Sequence, residues 1–319
     1  MAVDIINRLI LALADAAPLA LVTLAIVLIF RTSFTTNFAQ GMIAASGAYI
    51  VTILYNRYLI LKFPEGNVVI FTLIAFLSGI IVAFLFGVFI DVILIRKSKF
   101  SNALTKQMIT MGIVLFVMGL LPTLFFKAEL NMPTIPFLFD GTLIIETAMG
   151  KNIIIQKNYI YAITLTTVVI STVFVMLKYT KWGLGVRSTA ANERVAGMMG
   201  VNTKFITAMS WGIAGALGSL GAIIYASYNV TINVGFMTEM QVNGFLASIL
   251  GGFSTFFGPI VGAIIIPILN QISYYIMPQL QIGGQNLGVY YKVVVYIIIL
   301  IIILIKPIGL FGKKIAKKV

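Results

Sequence analysis

Few residues in this chain could do chemistry, and their types set narrow limits. It carries nine acidic residues, no histidine and no cysteine. Without histidine there is no imidazole base, no HExxH zinc motif and no Ser-His-Asp triad. Without cysteine there is no thiol chemistry and no disulfide. No GxxxxGK[ST] phosphate loop occurs, so the chain is not expected to hydrolyse ATP, and no metal or catalytic residue is assigned. What remains is a set of amides and three carboxylates in apolar surroundings. Asn37 and Gln40 lie in "TTNFAQGMIAASGAYI" (35–50), and Gln241 and Asn243 lie in "MQVNGFLASILGG" (240–252). Amides of this kind break no bonds. They exchange hydrogen bonds with backbone or with a polar solute. Among the carboxylates, Asp91 precedes Arg96 by five residues and is expected to pair with a loop cation. Glu239 sits at a span end and is expected to be solvated. Asp15 has no assigned role, although an intramembrane acid is a functional candidate by default.

The elements that position these residues follow from composition. The 319 residues are 60% hydrophobic and 10% charged, with a mean hydropathy of +1.07. Soluble domains average about 25% charged residues, so this is a membrane composition. The run from Leu9 to Phe30 is too long for a cleaved signal peptide and contains Asp15. A membrane helix needs about 20 apolar residues. Candidate spans are roughly 9–30, 36–56, 67–95, 103–126, 158–179, 205–227, 239–253, 257–277 and 288–305. That makes eight or nine, because 36–56 and 239–253 are weak and carry Gly41 and Gly244 as expected breaks. The expected fold is an all-α, polytopic integral membrane helix bundle, one permease-like domain over 1–319, with discontinuous helices.

The net charge is +13. The basic residues do not form a nucleic-acid surface. They gather in 96–106, in 178–204 and in the tail 306–319, the bias of cytoplasmic loops in a multi-pass inner-membrane protein. Parity then places the C-terminus in the cytoplasm, the loop 127–157 outside with Glu129, Asp140 and Glu146 against Lys127, Lys151 and Lys157, and the N-terminus outside. The tail lysines suit anionic lipid headgroups.

The longest basic loop contains "KWGLGVRSTAANERVAGMMGVNTKFI" (181–206). Gly183 and Gly185 are expected to break the preceding helix. "RSTAANERVAGMMG" then reads as one short helix, capped by Ser188 or Thr189 and ended by Gly200. Ala191, Val195 and Met198 fall at helical spacing and form a small apolar face, with Arg187, Glu193 and Arg194 pointing elsewhere. Such a helix suits a groove on a partner, or a solvated loop lying on anionic lipid.

This loop resembles the cytoplasmic loop of ABC importer permeases, and most closely that of the branched-chain amino-acid permease family. Arg187, Ala191, Asn192, Glu193, Ala196, Gly200, Val201 and Asn202 match the family pattern. "TNFAQG" (36–41) resembles the family's Asn-Phe-Ala-His-Gly motif, with Gln40 in place of His. "LASILGGFSTFFGPIVGAII" (246–265) resembles its glycine-rich stretch with one glycine missing, and "KPIGLFGKK" (306–314) its C-terminal ending. The resemblance covers nearly the whole chain. It implies an alternating-access importer subunit with no cofactor of its own, ATP being bound by partner subunits. Implied partners are two ABC ATPase subunits, a homologous second permease or a second copy, and an extracellular or periplasmic solute-binding protein, in a prokaryotic cytoplasmic membrane. The loop 181–204 would then couple to the ATPase through Arg187, Ala191, Asn192, Glu193, Arg194, Gly200 and Asn202. The polar stretches would line the pathway through Asn37, Phe38, Gln40 and Gly41, and through Gln241, Asn243 and Gly244. Urea, amides and nucleosides are alternative substrates within the same broad family. An ion-coupled transporter is the more distant alternative.

Overall fold

The computed structural model describes residues 2–63, 66–98, 102–126, 131–133, 141–146, 152–228, 231–282 and 285–312. Lys99, Lys127, Glu129, Asp140, Lys151 and the tail from 313 onward lie outside the described residues. Helices dominate. α1 (Ala2–Ser33), α4 (Val68–Phe89), α5 (Ala103–Phe126), α6 (Lys157–Tyr179), α9 (Thr203–Ser227), α11 (Phe257–Ile276) and α12 (Tyr291–Ile305) belong to the seven segments long and apolar enough to cross a bilayer among the described residues. The two weak spans are shorter. α2 (Gln40–Ile53) runs through a π-helical turn, Leu54–Leu59, into α3 (Ile60–Lys62). α10 (Thr238–Gly251) has 14 residues, about 21 Å at 1.5 Å per residue and too short to cross alone. Two further helices, α7 (Lys181–Ala191) and α8 (Glu193–Met198), join α6 to α9. Short antiparallel pairs complete the chain: β1 (Asn131–Pro133) with β4 (Thr231–Asn233), β2 (Thr142–Ile145) with β3 (Ile153–Gln156), and β5 (Gln281–Ile282) with β6 (Gln285–Asn286).

Lipid cannot drive apolar helices together, so close backbone approach must do so. α1, α2, α4 and α9 form the centre, and small residues seat them. A Cβ added at Gly47 of α2 would meet Ser219 Oγ of α9 at 2.0 Å and the Gly79 carbonyl of α4 at 2.9 Å. A Cβ on Gly215 of α9 would fall 2.2 Å from the Ala83 carbonyl. Leu21, Leu24, Ile43, Ile90, Trp211 and Ile223 are sealed in this centre. Ser46, Gly47 and Ala48 are all buried and pack as small residues in membrane helices do.

Two faces are defined by contacts at the helix ends. Asn7, near the start of α1, donates through Nδ2 to the Asn152 carbonyl (3.2 Å), and its Oδ1 accepts from Ile154 N–H (3.2 Å). The starts of α1 and α6 therefore share one face, and α7 and α8, beyond the end of α6, lie on the other. On that α8 face, Asp91 and Arg96 form an ion pair. A π-helical turn, Ile90–Ile95, lies between them, and Arg96 N–H donates to the Asp91 carbonyl (3.0 Å). Residues five apart do not face each other on an α-helix. The wider turn brings them together, and Arg96 also donates to the Lys204 carbonyl at the start of α9.

After α12 the chain folds back as a strap, residues 306–312. Leu310 N–H donates to the Leu250 carbonyl (2.8 Å) and Phe311 N–H to the Gly251 carbonyl (3.1 Å). Gly252 (φ +97°) and Gly309 (φ +86°) touch back to back, and a Cβ on Gly309 would fall 2.5 Å from the Gly252 Cα. A positive φ together with that approach admits only glycine. The two glycine-bearing motifs read separately in the sequence, 246–265 and 306–314, thus form one docked unit.

Candidate functional site: an amide seam and a projecting helix

The break near the opening polar stretch falls before Gly41. α1 ends at Ser33, Phe34 takes φ 50°, and α2 begins at Gln40. Gly41 lies inside the first turn of α2, and Gly244 lies inside an unbroken α10. The expectation that these glycines break their helices is therefore corrected: both are close-approach positions. A Cβ on Gly41 would meet Gln241 Oε1 at 2.6 Å, and one on Gly244 would meet Ile26 Cδ1 at 2.9 Å.

Six residues separate α1 from α2. Phe34 N–H still bonds the Phe30 carbonyl and the Ala39 carbonyl accepts from Ile43 N–H, but the backbone between them belongs to neither helix, and a helix start leaves further N–H groups orphaned. The amides fill that need. Ala39 N–H donates to Asn37 Oδ1 (2.9 Å), and Asn37 Nδ2 donates to Gln40 Oε1 (3.2 Å). Gln40 Nε2 crosses to the Ala214 carbonyl of α9 (2.9 Å). Gln241 reaches in from α10, where its Oε1 accepts from Gly41 N–H and its Nε2 donates to the Phe38 carbonyl (2.7 Å). Phe38 N–H donates to Thr110 Oγ1 (3.2 Å), and the Phe38 ring packs on Phe245 with centroids 5.6 Å apart. The two weak spans, 200 residues apart in sequence, thus meet in a seam. Ala214 lies eleven residues into the 25-residue α9, about 16 Å along its axis and close to its midpoint.

Asn37 and Gln40 are 1% and 0% exposed, and their described bonds stay within the seam. Backbone away from water must be satisfied internally at this depth, and here the amides do so. Asn243 lies apart from the seam. It borders a polar cavity and accepts a hydrogen bond from the Tyr296 hydroxyl (3.4 Å). The same cavity holds Asp15 and Glu239 with Arg8, Gln271 and Lys292, the last three unassigned by sequence reading. Glu239 is solvated as expected, its side chain 53% exposed, and it also pairs with Lys292.

The second site residues lie in α7 and α8. Gly183 and Gly185 are within α7, and Thr180 caps it by accepting from Gly183 N–H (3.0 Å). The expected single helix over 187–200 is two helices, so Arg187 and Ala191 fall in α7 and Glu193 and Arg194 in α8. Neither Ser188 nor Thr189 is the cap. Ser188 Oγ donates back to the Gly185 carbonyl, and Thr189 is fully buried. Asn192 is the cap, extended at φ −164°, and its Oδ1 accepts from Val195 N–H (3.1 Å). Asn202 caps α9 in the same way through Phe205 N–H (3.0 Å). Gly200 closes α8 at φ +85°, as expected. α8 buries only Ala196, while Val195, Met198 and Met199 are 51%, 77% and 80% exposed. Three apolar side chains on a short, doubly capped helix form a projecting knob.

A bundle of many apolar helices with internally satisfied breaks defines a polytopic integral membrane protein. The chain belongs to the family described as "Branched-chain amino acid transport system / permease component", whose model matches residues 8–304. It is similar to the high-affinity branched-chain amino acid transport system permease protein LivH of Escherichia coli, 22% identical over 94% of this chain and 93% of that protein. It is also similar to BraD of Pseudomonas aeruginosa, a permease protein of the same description, at 22% over 98% of each. A probable branched-chain amino acid transport permease protein of Methanocaldococcus jannaschii is 25% identical over 92% of this chain and 88% of that protein. No solved structure matches the chain.

Proposed function

We propose that this chain is the membrane permease subunit of an ATP-driven importer for branched-chain or related amino acids, working by alternating access in a prokaryotic cytoplasmic membrane. The observation that carries the reading is α8: a six-residue helix, set off by Asn192, that shows Val195, Met198 and Met199 to solvent. An apolar knob of this kind fits a groove on a partner. The family supports an ATPase subunit as that partner, with a solute-binding protein at the opposite face and a second permease, homologous or identical, alongside. The α8 face carries Arg96, Lys178, Lys181, Arg187, Arg194 and Lys204, which supports a cytoplasmic assignment for it and for the strap. The chain supplies no reaction of its own. ATP-driven closure of the ATPases would pull on α8, and α9, which follows directly, would pass the movement to the seam at Ala214.

Glu193→Arg tests the docking. Glu193 is exposed and lies in the first turn of α8, so the substitution spares the fold. In the assembled transporter the variant should reach the membrane at normal levels, lose uptake at least tenfold and lose ATPase stimulation by loaded binding protein. Normal uptake would refute the docking role.

A further inference from the structure

The cavity bordered by Asn243 has a volume of about 380 Å³ and opens between α1, α10, α11 and α12, with Tyr225 of α9 also in its wall, on the face opposite α8. That volume lies in the range of small-molecule sites, about 300–1,000 Å³. Its wall holds charges of both signs, Asp15 and Glu239 against Arg8 and Lys292. Glu239 and Lys292 are paired with each other, with Lys292 still 41% exposed, whereas Arg8 and Asp15 are not joined. Arg8 lies over the Tyr274 ring (4.8 Å) and donates through Nη1 to Gln271 Oε1 (3.4 Å). Gln271 Nε2 in turn donates to Asp15 Oδ2 (3.1 Å). Gln271 therefore fixes a guanidinium and a carboxylate on either side of itself without joining them. Nearby, Asn270 Oδ1 is buried in the wall with no hydrogen-bond partner among the described residues. A buried acceptor of this kind calls for a donor. Leu19, Met240 and Pro267 supply an apolar wall.

An ammonium brings three donors and no acceptor, which suits Asp15 and the orphaned Asn270 oxygen. A carboxylate suits the guanidinium fork of Arg8, with Lys292 as a second cation. We propose that this cavity is a binding site for a small zwitterion with an aliphatic side chain. Its ammonium would sit at Asp15 and Asn270, its carboxylate toward Arg8 and Lys292, and its side chain against Leu19, Met240 and Pro267. α10 forms part of the wall through Glu239, Met240 and Asn243 and holds the seam through Gln241, so the ligand rests on the helix that closes the membrane centre. The zwitterion follows from the cavity alone, whereas its identity as a branched aliphatic amino acid rests on the import reading above.

The test is equilibrium binding of radiolabelled leucine to the purified full chain in phosphatidylcholine nanodiscs, with isocaproate lacking the ammonium and isoamylamine lacking the carboxylate as competitors. The expected result is saturable leucine binding, at least tenfold weaker competition by either one-charge analogue, and at least tenfold weaker binding in Asp15→Asn and in Lys292→Gln. The analogues need no variant, so the test survives a variant that fails to fold. Absence of saturable binding, or competition by isocaproate equal to that of unlabelled leucine, overturns the site. So does loss of leucine binding in phosphatidylethanolamine nanodiscs with that lipid retained by the wild type and not by Asp15→Asn, since the occupant is then a headgroup. Uptake by the assembled transporter separates the two readings. Bound leucine that is not transported keeps the site and removes the import reading. Import with unchanged KM in both variants removes the site and keeps the import reading.

Discussion

Gln241→Met isolates the seam. Methionine keeps the length and volume of glutamine and removes both of its polar ends. Two backbone groups lose their described partner, the Gly41 N–H at the start of α2 and the Phe38 carbonyl before it. A buried group left unpaired costs about 1–3 kcal/mol, so two set an upper range of about 2–6 kcal/mol. The unfolded chain in a membrane also finds partners, which brings measured interhelical hydrogen bonds down to an average of about 0.6 kcal/mol. That discount is weaker here. It applies to side chains with other choices, whereas both seam groups are backbone at a helix break. The expected loss is about 2–4 kcal/mol, read by reversible unfolding in mixed detergent and dodecyl sulfate micelles with helicity as the signal. Val242→Met, at a neighbouring position 46% exposed, is the control and should change stability by less than about 0.5 kcal/mol. A Gln241→Met protein as stable as that control would refute the argument that α10 satisfies the backbone of the break.

Gly47→Val drives a side chain into Ser219 and the Gly79 carbonyl. Overpacking costs about 1–3 kcal/mol and more where backbone is struck, so folded yield by size-exclusion chromatography should fall sharply, while Gly112→Val, with nothing near its added Cβ, should behave as wild type. Arg96→Gln removes the ion-pair partner of Asp91, which is 3% exposed and keeps Thr207 and Lys106 beside it. Because the Arg96 side chain is 28% exposed, the cost falls between that of an exposed pair and that of a buried one, about 1–3 kcal/mol, and the same unfolding assay should show most of the loss recovered in Arg96→Gln with Asp91→Asn. Asn192→Ala removes the cap between α7 and α8, at about 1 kcal/mol. Uptake should fall while overall stability moves by no more than that amount, a split that a purely structural role for the loop would not produce.

The spans were legible because a bilayer demands long apolar runs, and the two that failed the demand, 36–56 and 239–253, are the two short helices that meet in the seam. Small residues at 46–48 were legible as packing for the same reason. Three things were not. Glycine marks both a break and a close approach, and at Gly41, Gly244, Gly183 and Gly185 the second use wins because a facing helix lies within contact distance. Ser188, Thr189 and Asn192 are all capping residue types, and local sequence does not rank them. Packing does, by burying Thr189 against the bundle and leaving Asn192 extended. Asp15 and Glu239 read as separate oddities because their meeting depends on α1, α10, α11 and α12 converging, a long-range fact with no local period. The bond from Gln241 to Gly41 is of the same kind.

The strap has a consequence for biosynthesis. The carbonyls of Leu250 and Gly251 find their donors in Leu310 and Phe311, about sixty residues later. At a translation rate of about 5–20 residues per second, the end of α10 waits several seconds for its partners. A chain halted anywhere before residue 310 leaves those two oxygens unpaired beside the α10–α11 turn. Correct seating of the strap therefore reports that translation has passed this point, and a truncated chain offers quality-control proteases an exposed helix end at a fixed place.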